Sequence, residues 1–169
     1  MDVEERLTEL ERRLGALERQ EPAPDEQAKA TPSGFWALEG IRALFAEHGA
    51  AHGGVLFTGT VRLPTEEHYE WQYARPTGAL LEEDWSEAAE SFAALGHPVR
   101  MRLLHEILTG RRTAAELAAL EDLGTTGQVY HHLRQLTAAG WLHTTGKARY
   151  EVPPGRVVPL LVALAAARP

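Results

Sequence analysis

One continuous pattern over residues 92–152 constrains the fold of this chain more than any other feature, because three short amphipathic helices there precede a strand pair. Pro98 stands where the first helix begins, since the N–H that proline lacks is unpaired at that position anyway. Thr113 and Glu116 have the spacing of a capping box, which predicts the start of the second helix. The third helix is predicted over 125–139 and is closed by a glycine.

The third predicted helix has two faces of different chemistry. Val129, Leu133 and Leu136 fall on one side and predict a buried face. The outward side carries side chains that can donate to phosphates and base edges, with Gln128 at its edge and able to read adenine: Gly127, Tyr130, His131 and Arg134. The pattern therefore predicts a winged helix-turn-helix, whose third helix enters the major groove of double-stranded DNA.

The predicted wing occupies residues 141–152. Two short strands, over 141–144 and 148–152, flank the turn Thr145-Gly146-Lys147. Lys147 and Arg149 are placed to meet backbone phosphate or a minor groove. His132 is predicted to be a satisfied histidine at the rim of the core rather than a DNA contact.

Four segments of this region resemble the ArsR family of bacterial regulators: ALGHPVRMRLL over 94–104, TAAELA over 113–118, VYHHLRQL over 129–136 and AGWL over 139–142. The resemblance implies a homodimer that binds an imperfect inverted repeat. Its DNA contacts would map to Thr125, Thr126, Gly127, Gln128, Tyr130 and His131. The chain lacks the cysteine pair that metal-sensing members carry on the helix over 113–120. Any signal is therefore expected to enter by another route.

Charge is divided unevenly along the chain. The net charge of −7 arises from −11 over residues 1–90 and +4 over residues 91–169. The half that carries the helix-turn-helix is thus the basic one, as expected of a part that approaches phosphate. With no cysteine, no apolar run of membrane length and a charged start, the composition predicts a cytoplasmic protein without disulfides or a membrane span.

The region before the winged helix divides into three parts. A coiled-coil seam over 1–20 predicts self-association as a dimer or higher oligomer, although it could instead be a solvated helix on its own domain: Val3, Leu7, Leu10, Leu14 and Leu17. Residues 21–34 hold three prolines and predict a linker. Residues 35–84 predict a helix over 35–48 and then a β-hairpin with one aromatic face.

That aromatic face consists of Phe57, Tyr69, Trp71 and Tyr73. It is expected to form a core face covered by the helix over 35–48, or else the wall of an effector pocket or a surface for a protein partner. The winged-helix domain, 85–169, is predicted to open with a helix whose core stripe includes Trp85 and Phe92. A C-terminal helix over 157–167, with Leu160, Leu161 and Leu164, is expected to support association.

These patterns predict a mainly α fold with a small β component (α+β) and a sequence-specific DNA-binding transcriptional regulator, a repressor on an inverted-repeat operator. The alternatives are an effector-responsive regulator with its pocket in 35–84 and a winged-helix module that binds a protein instead of DNA. No enzyme is predicted, since Ser33, Ser86 and Ser91 lie in no nucleophile motif. No cofactor or metal is predicted, and His48, His52 and His68 are interpreted as scattered surface histidines.

Overall fold

The fold was determined as a computed structural model, which describes residues 36–146 and 148–167. Contacts divide the chain after Leu44, and one compact unit begins at Phe45. Helix α1, Trp36–Glu47, confirms the described part of the helix predicted over 35–48. The predicted coiled coil over 1–20 and linker over 21–34 lie outside the described residues and stay predictions.

The predicted hairpin is confirmed as two nine-residue antiparallel strands, β1 (Gly54–Arg62) and β2 (His68–Pro76). Their register pairs Phe57 with Tyr73, Gly59 with Trp71 and Val61 with Tyr69, so the aromatic residues share one face. The turn closes with hydrogen bonds between Leu63 and both Glu66 and Glu67, each 2.9 Å long.

The segment after the hairpin differs from its prediction. Helix α2 (Thr77–Glu82) leads to a 3₁₀ turn over Trp85–Ala88 that Asp84 caps, and helix α3 is Ala89–Leu95. The prediction that Trp85 and Phe92 belong to a core stripe is wrong, because each side chain is 68% exposed. Helical periodicity identifies an apolar face but does not say which molecule that face contacts.

The three helices of the winged helix-turn-helix are confirmed as α4 (Pro98–Leu108), α5 (Ala114–Ala118) and α6 (Thr126–Ala138). Both predicted N-terminal signals are present, since Pro98 lies at the start of α4 and Thr113 forms a capping box with Glu116. The turn between α5 and α6 places Asp122 and Gly124 in the left-handed region, with φ of 65° and 86°.

The wing strands are much shorter than predicted, because ladder pairing is limited to β3 (His143–Thr144) and β4 (Tyr150–Glu151). Helix α7, Pro154–Ala166, begins three residues before the predicted start. Leu160, which was expected in the association stripe, is 1% exposed and belongs to the core of its own domain. Leu161 and Leu164 are half-buried.

The hairpin and the winged helix share one core. Leu63 joins the buried leucines of α4, α5 and α6, and Val61 and Tyr69 pack against this cluster. Both strands contact α7, where Trp71 lies against Gly155 and Gly59 against Val158. Helix α7 therefore covers part of the aromatic face, a role for which the sequence analysis did not consider it, whereas Trp71 and Tyr73 stay 40% and 44% exposed. Among the described residues, no helix combines the length and apolarity needed to cross a membrane.

Candidate nucleic-acid interface

The outward face of α6 is created by the packing of its opposite side. Val129, Leu133 and Leu136 are at most 1% exposed, as predicted, and fix the helix against the core. The predicted DNA-contact positions are exposed on the other side: Thr125, Thr126, Gly127, Gln128, Tyr130, His131 and Arg134. The fold therefore brings these seven residues together on one surface of a single helix and its N-cap.

The N-terminus of α6 is held by a second capping box. Thr125 Oγ1 accepts from the N–H of Gln128 at 3.4 Å, and Gln128 Oε1 accepts from the N–H of Thr125 at 2.7 Å. Reading adenine with both amide atoms would require Gln128 to release this cap. The N–H groups of Thr126 and Gly127, in the first helical turn, have no carbonyl one turn before them and can face a phosphate.

Gly127 is not required by the packing of the free protein. In the part of the chain that the structure describes, a Cβ atom at this position would have only Thr125 Oγ1 within reach, at 4.0 Å, and the backbone is ordinary helix. A glycine in a helix without a steric reason lowers its stability by about 0.5–1 kcal/mol relative to alanine. The absent side chain leaves the backbone open to close approach from outside the protein.

The wing lies beside the second helix rather than standing free. The N–H of Ala114 donates to Ala148 at 2.9 Å, and Thr113 forms an isolated bridge with Arg149. Arg149 is exposed, and its Nε donates to Glu151 at 3.2 Å. Lys147, the other predicted wing contact, lies outside the described residues, so its predicted role stays a prediction.

His131 of the recognition face lies close to two further histidines, His97 and His132. The rings of His97 and His132 are 4.5 Å apart between centroids, and those of His131 and His132 are 5.8 Å apart. Nδ1 of His132 is buried without a hydrogen-bond partner among the described residues, so the prediction of a satisfied histidine is wrong for this atom. Burial lowers the pKa of His132, and the charges of His97 and Arg100 act in the same direction.

Arg100 is a supporting residue that the sequence analysis missed. Its guanidinium donates to the carbonyls of Ala93 and Ala94, each at 2.6 Å, and to Gln135 Oε1 at 2.7 Å. It thereby pairs the last carbonyls of α3 and connects them to α6. Four arginines lie within residues 100–112, and the sequence does not show that Arg102 and Arg111 are exposed whereas Arg100 and Arg112 are not.

The remaining candidate residues do not join this surface. His68 Nε2 lies 3.0 Å from Thr60 Oγ1, and no three acidic or histidine side chains in the described part of the chain are placed to hold a metal ion. On the hairpin, the rings of Phe57 and Tyr73 are 5.7 Å apart, whereas Tyr69 and Trp71 pack against the core and α7. An effector role for these four aromatic residues stays a prediction.

Comparison with protein families gives a match over residues 95–144 to a family described as a helix-turn-helix domain. The matched residues cover α4, α5, α6 and the first strand of the wing. Comparisons with curated proteins and with solved structures give no match. The match supports a DNA-binding regulator of the helix-turn-helix type and does not distinguish the ArsR family from others.

Proposed function

We propose that the chain is a sequence-specific DNA-binding transcriptional regulator without enzymatic activity, and that it acts as a repressor. The observation that carries the proposal is the surface of α6, where Tyr130, His131 and Arg134 are exposed opposite a fully buried face. These side chains supply phenol, imidazole and guanidinium donors, which suit base edges and phosphates of the major groove. A repressor role follows from the resemblance to the ArsR family.

A homodimer on an inverted-repeat operator is the second part of the proposal. One helix-turn-helix reads a single half-site, and two-fold symmetric operators need two copies about one helical turn apart. A shallow apolar groove of about 290 Å³ on the protein surface supports association, and it is lined by Phe92, Leu95, Met101, Leu160 and Leu164. Exposed apolar surface of this kind is typical of protein interfaces.

An effector-responsive regulator is the second candidate function. A cavity of about 760 Å³ lies between Leu80, Trp85, Phe92 and Arg156, with three carboxylates at its rim. It adjoins the end of the segment 35–84 rather than the aromatic face of the hairpin. A cleft of this size lined by aromatic and charged groups is within the range of small-molecule sites.

The proposal is tested by binding of fluorescent DNA from upstream of the gene, against scrambled DNA, across a range of salt concentrations. Alanine at Tyr130, His131 or Arg134 is expected to cost about 1–3 kcal/mol of specific binding each, with little change in melting temperature. The double variant H131A/R134A has a matched control in H105A/R62A, which removes the same two residue types from exposed positions elsewhere. If the triple variant Y130A/H131A/R134A bound the specific DNA with wild-type affinity, the outward face of α6 would be excluded as the surface that recognises the DNA sequence.

A further inference from the structure

A buried arginine lies where the hairpin turn, the loop before α5 and the wing meet. Arg112 is 8% exposed, and its Nη1 donates to Glu67 Oε1 at 2.9 Å and to Glu151 Oε1 at 3.4 Å. Nη2 bonds the second oxygen of Glu67, and Nε donates to the carbonyl of Ile107 at 3.4 Å. The guanidinium thus joins a carboxylate of the hairpin to a carboxylate of the wing.

The hairpin side of this contact is firmly fixed. Thr65 Oγ1 donates to Glu67 Oε2 at 2.6 Å, and the carbonyl of Glu67 accepts from the N–H of Leu63. Leu63 is 7% exposed and belongs to the core, and the methyl group of Thr65 lies over Gly110. Because a buried guanidinium needs a close counter-charge, the two-pronged contact with Glu67 is the principal compensation for Arg112.

The wing side of the contact is shared. The same oxygen of Glu151 that accepts from Arg112 also accepts from Arg149 Nε at 3.2 Å. A backbone hydrogen bond also joins the wing to the loop before α5, since the N–H of Tyr150 donates to the carbonyl of Arg112 at 2.7 Å. Glu151 therefore stands between a buried arginine, which the hairpin neutralises, and an exposed arginine of the wing.

We propose that Arg112, paired with Glu67 of the hairpin turn, is a positioning residue that leaves Glu151 available to orient Arg149 toward DNA phosphate. This inference rests on the proposed DNA-binding function. When Glu67 loses its charge, Glu151 is the remaining carboxylate that pairs with the guanidinium of Arg112 among the described residues. The buried guanidinium then attracts the carboxylate of Glu151, and Arg149 loses the hydrogen bond to Glu151 that orients it. The hairpin in this way becomes part of the DNA-binding unit.

The test compares Glu67→Gln with Glu66→Gln, which removes an equal charge from the same turn. Glu66 pairs at 3.1 Å with Arg62, and both side chains are at least 70% exposed, so this control does not touch the buried contact. Glu67→Gln is expected to weaken DNA binding roughly three- to tenfold and to reduce the salt dependence by about one phosphate contact. Glu66→Gln is expected to keep the wild-type salt dependence.

A background that lacks Arg149 separates positioning from general damage. In Arg149→Ala, Glu67→Gln is expected to cause no further change in salt dependence, because the residue through which it acts is already gone. Full additivity of the two changes would overturn the proposal. If Glu67→Gln fails to fold, Glu151→Gln replaces it, with the same expected loss and the same non-additivity with Arg149→Ala.

Hydrogen exchange on the free protein tests the coupling without DNA. The amides of Thr145 and Arg149 are hydrogen-bonded within the wing, and the amide of Tyr150 donates to the carbonyl of Arg112. All three are expected to exchange faster in Glu67→Gln than in Glu66→Gln. The amide of Ile107 in α4 reports global opening and is expected to be unchanged. Unchanged wing exchange would overturn the coupling. Absence of DNA binding by the wild-type protein, with altered wing exchange, would instead overturn the proposed function.

Discussion

At position 132 the protein holds an imidazole ring with one buried nitrogen, which has no hydrogen-bond partner within residues 36–146 and 148–167. The rings of His97 and His131 and the guanidinium of Arg100 surround it, and Gln135 bonds it from its own helix. Protonation would therefore add a positive charge where solvent is limited and other positive charge is near. The ring of His97 also has a structural role, because its Nδ1 accepts a hydrogen bond from the N–H of Val99, at 3.2 Å, and thereby caps the N-terminus of α4.

Protein stability is expected to depend on pH through His132. Because the pKa of the folded state is lowered, the unfolded chain binds the proton first as pH falls. The stabilisation that neutral His132 contributes is fully present above about pH 6.5, the pKa of histidine in the unfolded chain. It is lost as the pH falls through the lower pKa that His132 has in the folded protein. Urea unfolding between pH 5 and 7.5 is expected to show a weaker pH dependence in His132→Gln than in the wild type.

His52→Gln is the matched control for this measurement, since His52 is exposed and is not among the groups that act on the pKa of His132. It is expected to keep the pH dependence of the wild-type protein. An identical dependence in His132→Gln would show that the buried ring does not contribute.

At the level of elements, the hairpin is seated on α7 through a glycine. A Cβ atom at Gly59 would lie 2.7 Å from Cγ1 of Val158, which is closer than carbon atoms pack. Gly59→Ala is therefore expected to destabilise the protein by about 1–3 kcal/mol through overpacking. In a Val158→Ala background the same substitution is expected to cost less, because the valine methyl groups that it meets are gone.

Gly78→Ala serves as the control in chemical denaturation. A Cβ atom there meets no atom of the described residues within 4 Å, so the substitution is expected to leave stability unchanged or to raise it by up to about 1 kcal/mol. An equal cost of Gly59→Ala with and without Val158 would show that the hairpin is not held against α7 by this contact.

The elements themselves were largely predictable because their signals are local. Capping residues and turn glycines act within one helical turn, and Val129, Leu133 and Leu136 lie within two turns of each other. The wing strands were overestimated because alternation over 148–152 reflects burial of Tyr150 and Val152, whereas ladder pairing stops after two residues. Burial and hydrogen bonding are separate properties of a strand.

The parts of the candidate site that escaped prediction depend on distant residues. Arg112 and Glu67 are 45 positions apart, and no periodicity links a turn carboxylate to an arginine in another loop. The exposed state of Phe92 was equally hidden, because a helical stripe has the same spacing whether it faces its own core or another molecule. The shared exposure of the seven positions on and beside α6 was predictable because one helix carries them, and their contact with DNA stays a prediction.

At the scale of the whole molecule, self-association is expected to depend on Phe92. Its side chain is 68% exposed beside the apolar groove on α7, and aromatic anchors of this kind contribute strongly to interfaces. Phe92→Ser is expected to weaken self-association at least roughly tenfold, as measured by light scattering on dilution. The melting temperature of the Phe92→Ser monomer is expected to change little, since the Phe92 ring is mostly exposed within its own chain.

Val55→Ser is the control, because Val55 is 57% exposed but lies on the hairpin away from that groove. The Val55→Ser variant is expected to retain the oligomeric mass of the wild-type protein at every protein concentration. Equal masses for Phe92→Ser and the wild type would place the association elsewhere, with the seam predicted over 1–20 as the next segment to delete.

The seating of the hairpin on α7 also has a consequence for biosynthesis. Gly59 and Val158 are about 100 residues apart, so at about 5–20 residues per second the ribosome needs roughly 5 to 20 s to make the second after the first. During that interval the nascent hairpin lacks α7, which later packs against Trp71. Apolar surface that is exposed before its partner element is made is prone to aggregation, so we expect the strand pair to need protection by chaperones until α7 is synthesised.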